Sequence, residues 1–138
     1  MARTWADLLV EMKAVVEGLK WRQFIIVDYD AGRLGDDAPY AQAACEPAGW
    51  YAEISSTQTV PHWPEHPQWL ESNRWEAPES GGNWRRQTVN ASLVPELLVS
   101  GLEIGRGCLL VDLFTLRIGR FAMPPDGGQA LAMSSHAA

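Results

Sequence analysis

Tyr40-Ala41-Gln42-Ala43-Ala44-Cys45-Glu46, Pro47-Ala48-Gly49 and Trp50-Tyr51-Ala52-Glu53-Ile54-Ser55-Ser56 follow one another, and they read as two strands joined by a short turn. In the second run Trp50, Ala52 and Ile54 share one face, and Tyr51, Glu53 and Ser55 share the other. In the first, Ala41, Ala43 and Cys45 alternate with Tyr40, Gln42 and Glu46. Pro47, Ala48 and Gly49 suit a three-residue hairpin loop with glycine near its end. This alternation predicts an antiparallel sheet with one face buried and the other wet. The small residues of the first strand let a helix or a large side chain approach closely.

Upstream, Thr4 can cap a helix, with Asp7 three residues on, where a carboxylate suits both the cap and the helix dipole. Trp5, Leu8, Leu9, Met12, Val15, Val16 and Leu19 follow as one apolar helical face. They predict a helix lying on the sheet; a partner-binding helix has the same pattern. Phe24-Ile-Ile-Val27 reads as a strand buried on both faces. Ala31 to Ala38 reads as a surface loop. Downstream, Pro61, Pro64, Pro67 and Pro78 forbid a long helix or a central strand over 57–80. A short helix beginning at Pro67 can carry Gln68 to Asn73. Asn83 to Val89 suits a further strand, and Ser92 opens a second helix that Gly101 weakens and Gly105 with Gly107 ends. Residues 108–118 fit strand alternation and helical spacing about equally. The predicted fold class is α+β: an antiparallel sheet of about four or five strands with helices packed on one face. Residues 1–123 make one domain, and 124–138 read as a solvated tail.

A chain of 138 residues can hold a core without staples. Its hydrophobic fraction, 46%, and charged fraction, 20%, are those of a globular protein. The net charge of −6 and the lack of a basic run argue against nucleic acid as a partner. No apolar run reaches the length of a membrane span, and no signal peptide precedes the first helix, so a cytoplasmic protein is expected. Seven tryptophans are many for this length, and some are expected to line a groove while most serve the core. Cys45 and Cys108 read as two buried thiols.

Chemistry is sparse. His62 and His66 are four apart, but Pro64 interrupts any helix between them and no further ligand lies near, so no metal site is predicted. Asp28 and Asp30 end a strand without calcium-loop spacing. Glu46 and Glu53 could pair across the hairpin as acid and base, but they read as a solvated sheet face. A nucleophile with its base and orienting group is not recognisable, and neither catalysis nor a cofactor is expected.

The order Tyr40-Ala-Gln42, turn, Tyr51-Ala-Glu53-Ile54, then Leu70, Trp75-Glu-Ala-Pro78 and Asn83-Trp84 resembles the type III secretion chaperone-like and YbjN-like family, the TY-Chap domains. The likeness covers roughly residues 4–105, with Asn73-Arg74-Trp75 standing where the family pattern has Leu-Gly-Trp. The resemblance implies a small, acidic, often homodimeric chaperone-type domain that binds an extended or partly unfolded client segment. On that reading Trp50, Trp63, Trp69 and Trp75 are apolar anchors, and Gln42 and Glu53 are polar contacts on the sheet face. A small-molecule-binding domain, or an immunity-type partner of one folded protein using the same groove, is the alternative.

Overall fold

Thr4 starts the first helix by the expected means. Its hydroxyl accepts from the Asp7 N–H while the Asp7 carboxylate accepts from the Thr4 N–H, both at 3.0 Å. These bonds, the backbone one foremost, lower the Asp7 pKa. Helix α1 (Trp5–Gly18) buries Leu8, Met12 and Val16 against the sheet, with Trp5, Leu9, Val15 and Leu19 packed at the margin. The structure is a computed structural model and describes residues 3–20, 22–30, 38–47, 49–88 and 90–121. The expected loop over 31–38 lies almost wholly outside the described residues, and the expected tail, 124–138, does so entirely.

The fold is α+β. Strands β1 (Gln23–Tyr29), β2 (Tyr40–Glu46), β3 (Gly49–Ile54), β4 (Trp84–Thr88) and β5 (Phe114–Arg120) form one antiparallel sheet in the order β4-β3-β2-β1-β5. In the hairpin, Gln42 faces Glu53 and Ala43 faces Ala52. Gly49 belongs to β3, opposite Glu46, at a φ of 129° that favours glycine, so it is not the third loop residue expected of it. One face of the sheet carries Ile25, Val27, Ala41, Ala43, Ala52, Ile54 and Trp84, all buried. Among the described residues, every helix packs on that face. The other face carries a smaller apolar cluster, Phe24, Ile26 and Ala44 with Phe121.

The proline-rich passage does make one short helix, α2 (Pro67–Ser72). It ends in a Schellman motif: Trp75 N–H bonds to Leu70 O at 3.0 Å and Arg74 N–H to Glu71 O at 3.1 Å. Leu70 and Trp75, both buried, form the motif's apolar contact. The residue at its left-handed position is Arg74, with φ of 70°. This is the place where the family pattern has glycine, and the side chain there carries a steric cost.

The second helix begins earlier than Ser92. Asn90 caps a 3-10 turn (Ala91–Leu93) that runs into α3 (Val94–Ser100) and then a π-turn (Gly101–Gly105). Gly101 is where α3 crosses β3, and a Cβ there would lie 1.9 Å from Ile54 Cδ1. The glycine that weakens the helix is thus what allows it onto the sheet. The ambiguous stretch after Cys108 resolves as a 3-10 turn (Val111–Leu113) followed by β5. Pairing with β1 along its whole length decides this. No helix among the described residues is long and apolar enough to cross a membrane.

Directly after the π-turn, Arg106 is buried (0% exposed) and spends its guanidinium on backbone carbonyls. Nε donates to Pro64 O at 2.8 Å, Nη2 to Val60 O at 2.8 Å and Trp63 O at 3.4 Å, and Nη1 to Ser55 O. One planar fork thus fastens the irregular passage 55–64 to the end of the helix layer. Burial lowers the Arg106 pKa, and the Glu65 carboxylate works against that shift.

Two measurements test these points. Arg74→Gly is expected to stabilise the protein by about 1 kcal/mol in urea unfolding with an unchanged slope, since the left-handed cost is removed. Arg106→Lys is expected to cost about 3 kcal/mol, because an ammonium cannot serve carbonyls spread around a fork. The same variant should become more sensitive to proteolysis between residues 56 and 66, which limited digestion will show.

Candidate functional site

The six described tryptophans do not line one groove. Trp50, Trp75 and Trp84 are buried in the main core, at 8%, 3% and 3% exposure. Trp5, Trp63 and Trp69 pack against its margin. Trp63 meets Tyr29 edge-to-face, with ring centroids 5.4 Å apart. Trp69 opens onto a surface hollow of about 420 Å³, shared with Glu65, His66, Pro67, Gln68 and Ile104, and Trp5 onto a separate one of about 280 Å³ beside Leu9 and Val99. Trp50 and Trp75 are therefore core residues and not free anchors. Gln42 and Glu53 lie on the opposite face of the sheet. The six residues singled out in the sequence are split by the sheet itself, because alternation sends Glu53 and its neighbours Ala52 and Ile54 to opposite sides.

On that opposite face Gln42, Glu53 and Asn83 converge. Gln42 Nε2 and Asn83 Nδ2 each donate to Glu53 Oε1 at 3.1 Å. Asn83 also donates to the Tyr40 hydroxyl at 3.2 Å and accepts from Thr59 Oγ1 at 3.1 Å. Gln42 is 1% exposed, and its Oε1 accepts no hydrogen bond among the described residues. The sequence reading placed Asn83 at the start of an expected strand and in the family-like Asn83-Trp84 pair, without a site role. Its meeting with Glu53 depends on β4 lying beside β3.

Beside this network is a cleft of about 530 Å³, lined by Tyr51, Glu53, Asn83, Arg85, Glu46 and Glu79, with Ala44, Ser80, Gly82 and Phe121. Arg85 lies 4.0 Å from Glu79, an exposed and weak pair. Burial, then the Glu53 charge, raises the Tyr51 phenol pKa, so it stays a hydrogen-bond donor well into the alkaline range. The groups in the cleft can bind and orient. Glu46 and Glu53 share it, but it contains neither a histidine nor a cysteine.

The two sheet edges differ. On the β4 side Glu76 bridges Arg85, its N–H donating to Arg85 O at 2.7 Å and its carbonyl accepting from Arg85 N–H at 3.1 Å. On the β5 side the inward bonds fall on odd residues: Phe121 N–H donates to Arg22 O and Leu113 O accepts from Asp30. Leu116, Ile118 and Arg120 therefore turn their N–H and C=O groups away from β1. Among the described residues no strand pairs with them. Arg3 covers only the start of this edge, donating to Phe114 O and, at 2.9 Å, to Val111 O. Ile118 is 52% exposed.

Of the remaining candidates, His62 and His66 are exposed and face no third ligand. Among the described residues no group of three His, Cys, Asp or Glu side chains could hold a metal ion. Cys108 is buried as expected, and burial pushes its thiol up to about 12. Its contribution to stability is complete below the ordinary thiol value of 9.0 and is lost as pH climbs towards 12, since the unfolded thiol ionises first. Cys45 is exposed at the end of β2, contrary to the sequence reading, although it has the parity of buried Ala41 and Ala43. At pH 8 an aromatic disulfide reagent is expected to modify one thiol in the native protein and both after unfolding; rapid native labelling of Cys108 would contradict the buried placement.

No protein-family model, curated protein or solved structure matches the chain.

Proposed function

We propose that this protein is a non-enzymatic, cytoplasmic binding module that holds an extended client segment by strand addition to the outer edge of β5. The observation that carries the reading is the row of outward-facing backbone groups at Leu116, Ile118 and Arg120, beside a half-exposed Ile118. Main-chain pairing supplies affinity without demanding a particular client sequence, and an alternating side-chain contact supplies selectivity. The contrast with the β4 edge supports this, because proteins usually cover or charge their edges and here one is blocked by Glu76. The proposal keeps the client class implied by the TY-Chap resemblance and moves the contact from the tryptophans to the strand edge.

The homodimer implied by the same resemblance would use this edge too. Antiparallel pairing of two copies about Ile118 sets Leu116 opposite Arg120 and Arg117 opposite Gly119, so no like charges meet directly. Dimerisation and client addition then exclude one another.

Ile118→Pro is the decisive variant. It removes an outward N–H and no bond to β1, so the fold should survive with only a small loss of stability. A fluorescent, permanently unfolded reporter chain is expected to bind the parent protein and to bind Ile118→Pro at least tenfold more weakly. Val10→Asp, on the exposed side of α1, should bind like the parent. Any dimer seen by light scattering should become monomeric in Ile118→Pro. Reporter binding that is absent from the parent, or unchanged by the proline, overturns the proposal.

A further inference from the structure

Strand addition at β5, the reading on which this inference rests, sets three side chains of β5 directly beside the client's own. Leu116, Ile118 and Arg120 lie opposite Val27, Ile25 and Gln23 of β1, so they share the helix-covered side of the sheet. Leu116 packs against the main core, while Ile118 is half-exposed and Arg120 is exposed. An added strand therefore meets a row that runs from apolar to cationic, with every second client residue beside it. On the other side of the sheet Gly119 offers no side chain, and Arg117 is already held by Asp28 at 2.7 Å.

Other charges along this edge are answered within the chain. Arg3 Nη1 holds Glu11 at 3.1 Å, and the Asp112 carboxylate accepts from the Arg3 N–H at 2.8 Å. Arg120 makes no ion pair among the described residues, and its ladder neighbour is the neutral Gln23. A second copy of the chain, paired about Ile118, would bring Leu116 beside Arg120 and leave the guanidinium without a carboxylate. A client lysine or arginine there would be repelled. The chain as a whole carries −6, but distant charges are screened over about 8 Å at physiological ionic strength, so the contact at Arg120 decides.

We infer that the client segment is acidic at one end and apolar beyond it: a carboxylate beside Arg120, then apolar side chains two and four residues on, beside Ile118 and Leu116. Antiparallel addition, the pairing used throughout this sheet, puts the carboxylate at the client's N-terminal end.

The test uses acetyl-Glu-Thr-Ile-Thr-Val-Thr carrying a fluorescent label at its C-terminus, and sister peptides with Gln or Lys in place of Glu, followed by anisotropy. The Glu peptide is expected to bind the parent protein about fivefold more tightly than the Lys peptide, with the Gln peptide between them and the difference shrinking as salt rises. In Arg120→Glu, which touches no bond to β1, the order of the Glu and Lys peptides should reverse. No binding of any of the three to the parent, or binding that Ile118→Pro leaves unchanged, overturns the strand-edge reading and this inference with it. Binding of the Gln peptide that Ile118→Pro abolishes, with the Glu and Lys peptides equal or their order unaltered in Arg120→Glu, overturns the acidic-client inference alone.

Discussion

One buried guanidinium ties the irregular part of this protein to the regular part. Arg106 reaches the carbonyls of Ser55, Val60, Trp63 and Pro64, all in a passage that proline keeps out of helix and sheet. Carbonyls in such a passage have no ladder to satisfy them, and burying them unpaired is costly. Arg106 satisfies several at once from a single rigid fork. Its position follows from the π-turn before it, and Gly105 fits there because a Cβ would lie 2.6 Å from Leu70 Cδ2. The passage so fixed carries Glu65, whose carboxylate accepts from the Trp84 indole and the Thr57 N–H at 3.0 Å. Trp84 opens β4, so the guanidinium indirectly supports the strand that borders the cleft.

The sheet has a different purpose on each side. Among the described residues, the helix-covered face gathers most of the buried aliphatic and indole side chains into one core. The other face combines a small apolar cluster with a polar network centred on Glu53. Alanines at 41, 43 and 52 leave room for the helix layer on the first face, and Ala44 leaves room beside Tyr51 on the second. The same hairpin therefore builds both the core and the site, and a shift of one residue in its register would exchange them.

The edges add a second asymmetry. Glu76 blocks β4 at Arg85, while β5 keeps three residues' backbone groups directed outward. Arg117, held to Asp28 at 2.7 Å, and Arg120 keep β5 charged at its margins without removing its hydrogen-bonding groups. The blocked edge and the open edge thus lie at opposite ends of one sheet, with three strands between β4 and β5.

Much of the fold was legible from local signals. The Thr4–Asp7 cap with its apolar spacing, the alternation of the 40–54 hairpin and Pro67 as a helix start all act within a few residues, and they appear where the pattern places them. What lay beyond the sequence was long-range. Residues 108–118 fit two periods, and only the ladder with β1 selects the strand. Cys45 has a buried parity at an exposed strand end. The resemblance makes Trp50, Trp63, Trp69 and Trp75 anchors, yet burial of apolar area places Trp50 and Trp75 in the core and packs Trp63 and Trp69 at its margin. Gln42 and Glu53 were legible as a sheet-face pair, but Asn83 and Arg85 join them only because β4 pairs with β3. Local sequence determined which segments before residue 108 are helix and strand, since caps, prolines and periodicity act over a few residues. The tertiary structure alone decided which side chains meet at the cleft and which strand edge stays open, because strand order brings together residues that no local spacing relates.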